Sequence, residues 1–205
     1  MDKTVLIYDL EILNAIPPKE SSDFQSGITY CNGWRDFHNM GITCCGWTYL
    51  DSDPICFEWE NIQQRLIFEQ AVMEADIIAG FNSVGFDDRL LEANGVATRT
   101  SYDILYECRL AAYGSIGYQE QPEEHSYKLA DIVAANGMEK TGRGDLAPIW
   151  WQRGDRDRVR SYCLNDVKIE RDVLRLLLHG NLLNPNTGDF FKARPLDVYS
   201  YSMDL

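Results

Sequence analysis

The chain has 205 residues, of which 45% are hydrophobic and 25% charged, the composition of an ordinary globular domain with a substantial core. Its net charge of −13 argues against a passive nucleic-acid-binding module, which normally presents a basic face, but not against an enzyme whose acids hold metal ions. No apolar run is long enough to span a membrane and no signal peptide precedes the first strand, so we expect a cytoplasmic protein without membrane attachment.

Five strands and five helices are predicted along the chain. The strands span about 4–13, 40–50, 55–59, 76–81 and 99–102, and the helices about 61–74, 84–94, 104–112, 127–136 and 155–179. Three successive strands followed by strands that alternate with helices indicate an antiparallel meander and then parallel strands. We therefore expect an α/β fold built on a mixed five-stranded sheet with helices on both faces.

Three segments lie outside these elements. Residues 14–39 are long for a loop within a compact domain and indicate a functional flap or a mobile insertion. Residues 137–154 are predicted to be irregular. The turn signal N-P-N-T-G-D at 184–189 suggests that residues 181–205 form a C-terminal extension or small hairpin, packed on a domain formed by residues 1–180.

Cysteine and histidine usage argues against a zinc centre. The six cysteines include no C-x-x-C pair, and the chain has three histidines. Reduced thiols are therefore expected, with no zinc site.

Asp9 and Glu11 follow a nearly continuous apolar run at the start of the chain. Side chains alternate between the two faces of a strand, so residues two apart point the same way. Two carboxylates on one face repel each other and lose hydration, a cost that water or a divalent cation offsets. The alternative for this pair alone is a strand that runs out into solvent.

A second acidic position opens the helix that follows the fourth strand, within F-N-S-V-G-F-D-D-R-L-L at 81–91. The helical period places Phe86 and Leu90 on the buried stripe, Asp87 on its flank and Asp88 toward water. Asp87 is thus a candidate for a site in the interior. An acid in the first turn also complements the helix dipole, which is the simpler explanation for Asp87 taken alone.

The last long helix supplies the third position. Its buried stripe is predicted from apolar residues at helical spacing: Val159, Cys163, Val167, Leu174 and Leu177. Tyr162 and Asp166 are four residues apart and share one face beside that stripe. A buried aspartate is costly unless something pairs with it. An exposed edge acid beside a packed tyrosine is the alternative.

Together these motifs resemble the DEDD superfamily of 3′–5′ exonucleases, which share a ribonuclease-H-like fold. They are Asp-x-Glu on a first strand, Asn-x-x-x-Phe-Asp at the start of a helix, and Tyr-x-x-x-Asp on a late helix, and the resemblance runs from Asp9 to about Val173. Tyr162 indicates the tyrosine (DEDDy) subtype, since Ser161 stands where the other subtype has histidine. The stretches S-Y-K-L-A-D at 126–131 and K-T-G at 140–142 are similar to exonuclease domains related to family B DNA polymerases.

Two departures from the family pattern affect the expected substrate site. Ile12 stands where many members have Thr or Ser, which implies small changes in the pocket for the terminal nucleotide. The insertion at 14–39 is longer than expected and bears on substrate access.

The resemblance implies an exonuclease domain with two Mg²⁺ or Mn²⁺ ions held by Asp9, Glu11, Asp87 and Asp166. Carboxylate oxygens suit these hard cations, which would activate water and stabilise the leaving 3′ oxygen. Tyr162 would orient the attacking water. The implied products are nucleoside 5′-monophosphates from the 3′ end of single-stranded DNA. Replication, repair and proofreading are settings in which such folds work, and a replication or repair protein would deliver the substrate.

Contacts with the substrate are expected from residues around these acids: Leu10, Asn82, Phe86, Lys140 and Arg143. Asn82 and Phe86 are explained more readily as a helix cap and a core aromatic. The basic residues between 140 and 160 suit either backbone phosphates or a solvated face. Trp150 and Trp151 could stack on a base, but packing beneath the last helix is the better explanation.

Other functions are compatible with parts of the pattern. A 3′–5′ exoribonuclease is one, because recognition of the 2′-hydroxyl leaves no trace in residue spacing. A catalytically inactive module of the same fold that binds nucleic acid or a partner is another. A phosphohydrolase acting on small esters is disfavoured, since Glu11 and Leu13 replace the second Asp and the Thr of Asp-x-Asp-x-Thr. A dinucleotide-binding fold is excluded because no glycine-rich turn follows the first strand.

Overall fold

A single mixed sheet organises the molecule. The computed structural model describes residues 3–201, so residues 1–2 and the last part of the expected C-terminal extension, 202–205, lie outside the described residues. The sheet has the order β3-β2-β1-β4-β5, and its strands are β1 Val5–Ile12, β2 Ile42–Tyr49, β3 Ile55–Glu58, β4 Ile77–Gly80 and β5 Tyr102–Asp103. The β1–β2 and β2–β3 pairs are antiparallel, and the β1–β4 and β4–β5 pairs are parallel. The predicted α/β fold with a mixed five-stranded sheet is confirmed.

Helices cover both faces of the sheet. Within the described residues they are α1 Phe37–Met40, α2 Ile62–Glu74, α3 Asp87–Ala93, α4 Ile104–Tyr113, α5 Leu129–Ala135, α6 Ala147–Gln152 and α7 Arg156–Leu178. Val5 and Ile7 pack with α4, α5 and α7, whereas Leu6 and Tyr8 pack with α2 and α3 on the opposite face. This alternation along β1 produces two cores. Between residues 3 and 201 no helix has both the length and the apolar character needed to cross a membrane.

Two of the predicted helix starts are held by the expected caps, whereas α3 begins at Asp87 without a side-chain cap, so Asn82 does not cap it. The Asn61 side chain accepts a hydrogen bond from the Gln64 amide at 3.2 Å, and Asp103 accepts one from the Tyr106 amide at 3.2 Å. Each satisfies a backbone donor that a helix leaves unpaired at its first turn. The sequence therefore placed these two helix starts correctly.

Several predicted boundaries differ from the structure: the helix expected from about 84 begins at Asp87, and the strand expected at 99–102 is Tyr102–Asp103. The second strand begins at Ile42 instead of Met40, because the preceding residues form α1, which ends at Met40 and is followed by Gly41 with a φ of 63°. Residues 137–154, predicted to be irregular, contain α6. Pro148 lies in the first turn of α6, where a proline leaves no helical hydrogen bond unmade. Trp151 holds α6 in place by packing with Val159 and Cys163 of α7.

The segment at 14–39 is tied to the body through α6. The side chain of Gln152 donates hydrogen bonds to the carbonyl oxygens of Leu13 and Thr29 and accepts one from the Thr29 amide. Arg153 donates to the Gln25 side chain at 2.7 Å. These contacts place the segment beside the carboxyl end of β1, where the acids of the first motif lie.

Between α7 and residue 201, an isolated antiparallel bridge joins Leu183 and Phe190 across the turn at 184–189, in the region where a small hairpin is expected. Farther along, the Tyr199 amide donates to the Ser101 carbonyl at 2.9 Å and the Tyr201 hydroxyl donates to Glu107 at 2.8 Å. The described part of this extension therefore packs at the β5 edge of the sheet.

Candidate active site

The strand β1 directs Asp9 and Glu11 toward α7. Ile7, two residues before Asp9, lies in the core beneath that helix, so the same alternation turns both acids to this face. A carboxylate oxygen of each acid and the sulfur of Cys163 lie within 4.8 Å of one another. Glu11 is 5% exposed and Asp9 is partly buried. The sequence prediction that these acids share a face agrees with this placement.

The close approach of α7 depends on Gly46, which pairs with Asp9 across the β1–β2 ladder. A Cβ atom on Gly46 would lie 2.7 Å from Cγ2 of Val167 and 3.0 Å from the sulfur of Cys163. Such distances are well inside ordinary van der Waals contact. The missing side chain therefore lets α7 lie directly on β2 and brings its polar residues to the acids of β1.

The loop between β4 and α3 positions Asp87. The carboxylate of Asp103 accepts hydrogen bonds from the amides of Asn82 and Val84, both at 3.1 Å, and so orders this loop. Oδ1 of Asp87 accepts a hydrogen bond from the Leu10 amide at 3.2 Å. Because Leu10 stands between Asp9 and Glu11, this bond fixes the third acid against the first two.

Asp88 does not point toward water, contrary to the prediction from the helical period. Its Oδ1 accepts hydrogen bonds from the hydroxyls of Tyr8 and Thr100, and its Oδ2 accepts one from the Thr100 amide at 2.8 Å. The chain at Thr100 covers this side of the first turn of α3. The helical period of the sequence could not indicate the contact with Thr100, because the period depends on the residues of one helix and not on the segments that pack against it.

The helix α7 contributes Tyr162 and Asp166, both buried. A salt bridge joins Nζ of Lys140 to Oδ2 of Asp166, and the same ammonium lies 5.3 Å from the centroid of the Tyr162 ring. The other oxygen, Oδ1 of Asp166, is buried and has no hydrogen-bond partner among residues 3–201. Leaving a buried carboxylate oxygen without a partner costs free energy, and a bound cation would remove that cost.

Burial raises the pKa of each of these acids, and repulsion from neighbouring acids raises it further for Asp9, Glu11 and Asp87, whereas the charge of Lys140 opposes the shift of Asp166. The pKa of Asp9 is raised to about 8, by burial first and then by the charge of Asp166, while Lys140 opposes the change. Burial is also the largest cause of the raised pKa values of Glu11, Asp87 and Asp166. A cluster of acids that resists ionisation in the metal-free protein is stabilised when a cation binds.

The same environment keeps Tyr162 protonated. Burial and, after it, the charge of Asp166 raise the pKa of Tyr162 well above its usual value near 10. The Tyr162 hydroxyl can therefore donate a hydrogen bond at neutral pH but is a poor general base.

We expect the metal-free protein to lose stability as the pH rises from about 4 to about 8. The pKa of Asp9 is about 8 in the folded state against an ordinary 3.8. Between these values the folded state holds a proton that the unfolded state has released, so the free energy of unfolding falls as the pH rises. Thermal unfolding in EDTA measures this trend. Asp9→Asn, which cannot ionise, should show a shallower decline, and an equal decline in the variant would contradict the assignment to Asp9.

Glu170 is a further acid at this site that the sequence analysis did not single out. It is buried and accepts a hydrogen bond from the Phe81 amide at 3.2 Å. Burial, then the charges of Asp9 and Asp87, raise its pKa. Its position four residues after Asp166 on α7 is the sequence signal that could have found it.

The donor set fits a hard divalent cation. Carboxylate oxygens dominate the site and carry more negative charge than the ammonium of Lys140 balances, a condition that favours Mg²⁺ or Mn²⁺ over monovalent ions. Asp9, Glu11 and Cys163 form the tight group, and the thiol of Cys163 is the poorest match to such an ion. Asp87 and Asp166 line the same cleft but stand outside that group.

A cleft of about 1070 Å³ opens above these side chains. One wall comes from the segment 14–39, which contributes Ile16, Tyr30, Trp34 and Phe37 among others. Trp34 is 68% exposed, and its ring centroid lies 6.4 Å from that of Phe86. The tryptophan at position 34 is the sequence signal that could have indicated this wall of the cleft.

The residues predicted to contact substrate are placed differently from one another. Four of them line the cleft: Asn82, Phe86, Lys140 and Arg143. Lys140 is bonded to Asp166, and Nε of Arg143 donates a hydrogen bond to Oδ1 of Asp145 at 3.0 Å. Leu10 borders the cleft, but its side chain is buried in the core on the opposite face of the sheet, so its amide is what reaches the site. Trp150 and Trp151 pack with α7, as the alternative explanation held.

Comparison with known proteins shows a shared fold. No protein family model matches the sequence, and no curated protein matches it. Among solved structures, the chain is similar to the family B DNA polymerase from the hyperthermophilic archaeon Pyrobaculum calidifontis, with a TM-score of 0.54 and 19% identity. The match covers 92% of this chain and 26% of that polymerase, so the chain spans about a quarter of its length. The five-stranded sheet and its helices are consistent with a ribonuclease-H-like fold.

Proposed function

We propose that this chain is a metal-dependent 3′–5′ exonuclease of the tyrosine (DEDDy) subtype, which releases nucleoside 5′-monophosphates from single-stranded DNA. The observation that carries the proposal is that acids from β1, α3 and α7 face one cleft, where Oδ1 of Asp166 has no partner among residues 3–201. The similarity of the fold to a family B DNA polymerase supports a nucleic-acid substrate.

Asp9, Glu11, Asp87 and Asp166 are the residues that would hold two Mg²⁺ or Mn²⁺ ions. Such ions, when bound, activate water and stabilise the charge of a phosphodiester under attack. The protein prepares their ligands in advance: β1 fixes one pair of acids, the Leu10 amide orients Asp87, and Lys140 occupies one oxygen of Asp166 while leaving the other available.

Tyr162 acts in this proposal as a hydrogen-bond donor that orients the attacking water. Tyr162→Phe should lower the turnover number roughly 10- to 100-fold, which corresponds to the loss of a hydrogen bond to a charged or polarised group. The Michaelis constant should change little. Steady-state nucleotide release measures both, with Tyr113→Phe, a remote tyrosine whose hydroxyl donates to the Gly117 carbonyl, as the control. Equal effects of the two substitutions would contradict the role of Tyr162.

The cleft suits a single-stranded 3′ end. The segment 14–39 encloses one side of it, and the rings of Trp34 and Phe86 in its lining are surfaces on which a base would stack. Arg89 supplies positive charge along the lining, while Lys140 and Arg143 in the same lining form salt bridges with Asp166 and Asp145. The net charge of −13 predicts a weak, salt-sensitive grip on a long strand, so we propose a distributive enzyme, or one to which a replication or repair protein delivers the substrate.

The proposal is tested by nucleotide release from end-labelled single-stranded DNA, duplex DNA and RNA, each with Mg²⁺ and with EDTA. Metal-dependent release of 5′-monophosphates from single-stranded DNA, lost in Asp166→Asn, is the expected result. Preferential release from RNA would assign an exoribonuclease instead. Undiminished release by pure Asp166→Asn would sink the proposal, and Mn²⁺ binding without any release would favour an inactive binding module.

A further inference from the structure

Three cysteines meet behind the candidate active site. The sulfur atoms of Cys44 on β2, Cys56 on β3 and Cys163 on α7 lie within 4.8 Å of one another, and all are free thiols. Cys44 and Cys163 are fully buried, whereas Cys56 is partly exposed. They are far apart in the sequence, so the spacing of the cysteines does not indicate this cluster.

The fold itself creates this cluster, which we call the thiol cluster. In the β2–β3 ladder Gly46 pairs with Cys56, so Cys44, two residues from Gly46, points to the same face of the sheet as Cys56. The helix α7 then lays Cys163 over both, at the point where Gly46 lacks a side chain. The cluster thus joins two strands to the helix that carries Tyr162 and Asp166.

We propose that Cys44, Cys56 and Cys163 form a binding site for a thiophilic divalent cation of the Zn²⁺ class, with water as its fourth ligand. Zn–S bonds of about 2.3 Å place sulfur atoms about 3.8 Å apart in a tetrahedron. Small side-chain rotations therefore suffice to reach this geometry from the present spacing. A divalent ion also suits the charge of the site. Three thiolates with a monovalent ion would carry a net charge of −2 beside the acids of β1, and a divalent ion reduces this to −1.

The cluster is accessible from solvent on the side away from the candidate active site. A groove of about 760 Å³ is lined by Cys56, Glu58, Glu60, Asn61, Gln64 and Arg160, among others. It gives an ion and a water molecule a path to Cys56. Hydrogen bonds with Cys163 and Cys44 lower the pKa of Cys56 to about 4, whereas the pKa values of Cys44 and Cys163 are raised, so an ion that binds all three sulfur atoms must displace the protons of the latter two.

The thiol cluster and the carboxylates are separated by their chemistry, although Cys163 lies close to both. Thiolates prefer soft or borderline cations such as Zn²⁺, and carboxylates prefer Mg²⁺ and Mn²⁺. Cys163 therefore belongs with the other two thiols. An ion bound there fixes α7 on β2 and β3, one residue from Tyr162, so it should stabilise the fold whether or not the chain is a nuclease.

Co²⁺ is the spectroscopic probe for this site. The reduced full chain, titrated with Co²⁺ without oxygen, should develop a thiolate-to-cobalt charge-transfer band that saturates at one equivalent and disappears when Zn²⁺ is added. Cys56→Ser should weaken binding more than about a hundredfold, beyond the loss typical of an outer-shell partner. Cys45→Ala is the matched control, because Cys45 neighbours Cys44 but packs in the core on the opposite face.

A second measurement needs no variant. Zn²⁺ should raise the thermal midpoint of the wild-type chain and protect Cys56 from alkylation, as read by peptide mass. Absence of the band with saturating Co²⁺, its persistence in folded Cys56→Ser, or alkylation of Cys56 unaffected by Zn²⁺ would each overturn the proposal. Asp87→Asn should keep the band, so failure of the nuclease proposal and failure of this one are distinguishable.

Discussion

Asp87→Asn is expected to reduce metal-dependent nucleotide release by at least about a thousandfold, more than the 10–100-fold typical of losing an outer-shell partner of a metal ligand. The substitution keeps the shape of the side chain and an oxygen that can still accept the hydrogen bond from the Leu10 amide. It removes the negative charge and one of the two carboxylate oxygens. The fold should therefore survive while the affinity for Mg²⁺ falls, which nucleotide release and Mn²⁺ titration calorimetry measure together.

The adjacent acid provides the control. Asp88 accepts hydrogen bonds from Tyr8 and Thr100 on the other side of α3 and is absent from the lining of the cleft. Asp88→Asn should keep nearly full activity and lose about 1–3 kcal/mol of stability, because an amide nitrogen would face the Thr100 amide. If the two substitutions reduce nucleotide release equally, the loss comes from general damage to α3, and the proposed role of Asp87 is wrong.

The parts of the fold that sequence predicted are those that a single element determines. The alternation along β1 predicted that Asp9 and Glu11 share a face, and the stripe on α7 predicted the burial of Val159, Cys163 and Val167. The caps at Asn61 and Asp103 predicted two helix starts. Each of these depends on local geometry, which the order of residues along the chain contains.

The parts that sequence could not predict arise where distant segments meet. The pairing of Lys140 with Asp166 joins residues separated by 26 positions, and neither period nor spacing indicates it. The helix α6 is stabilised by the packing of its two tryptophans against α7. Pro148 and the neighbouring glycines predicted an irregular segment instead. The thiol cluster forms only when the β2–β3 register aligns Cys44 with Cys56 and α7 also packs against Gly46, which brings Cys163 to them. Such contacts depend on the assembled fold and not on local propensity.

Gly46→Ala is expected to cost about 1–3 kcal/mol of stability, the range for overpacking a well-packed core, and to lower nucleotide release by moving α7. Gly46 lies inside β2 and does not have a positive φ, so the backbone accommodates alanine without strain. The added Cβ would instead stand 2.7 Å from Cγ2 of Val167, 3.0 Å from the sulfur of Cys163 and 3.2 Å from the Cys163 carbonyl oxygen. The helix must therefore shift away from β2, and Tyr162 and Asp166 shift with it.

A double-mutant cycle separates this contact from any other effect of the new methyl group. Val167→Ala removes the atom that the Cβ meets first, so Gly46→Ala should cost less stability in that background than in the wild type, as measured by urea unfolding. Nucleotide release should recover in part, because the sulfur and carbonyl oxygen of Cys163 still crowd the methyl group. Equal costs in both backgrounds would mean that α7 does not rest on Gly46. A contact other than the one at Gly46 would then hold α7, with Tyr162 and Asp166, beside the acids of β1.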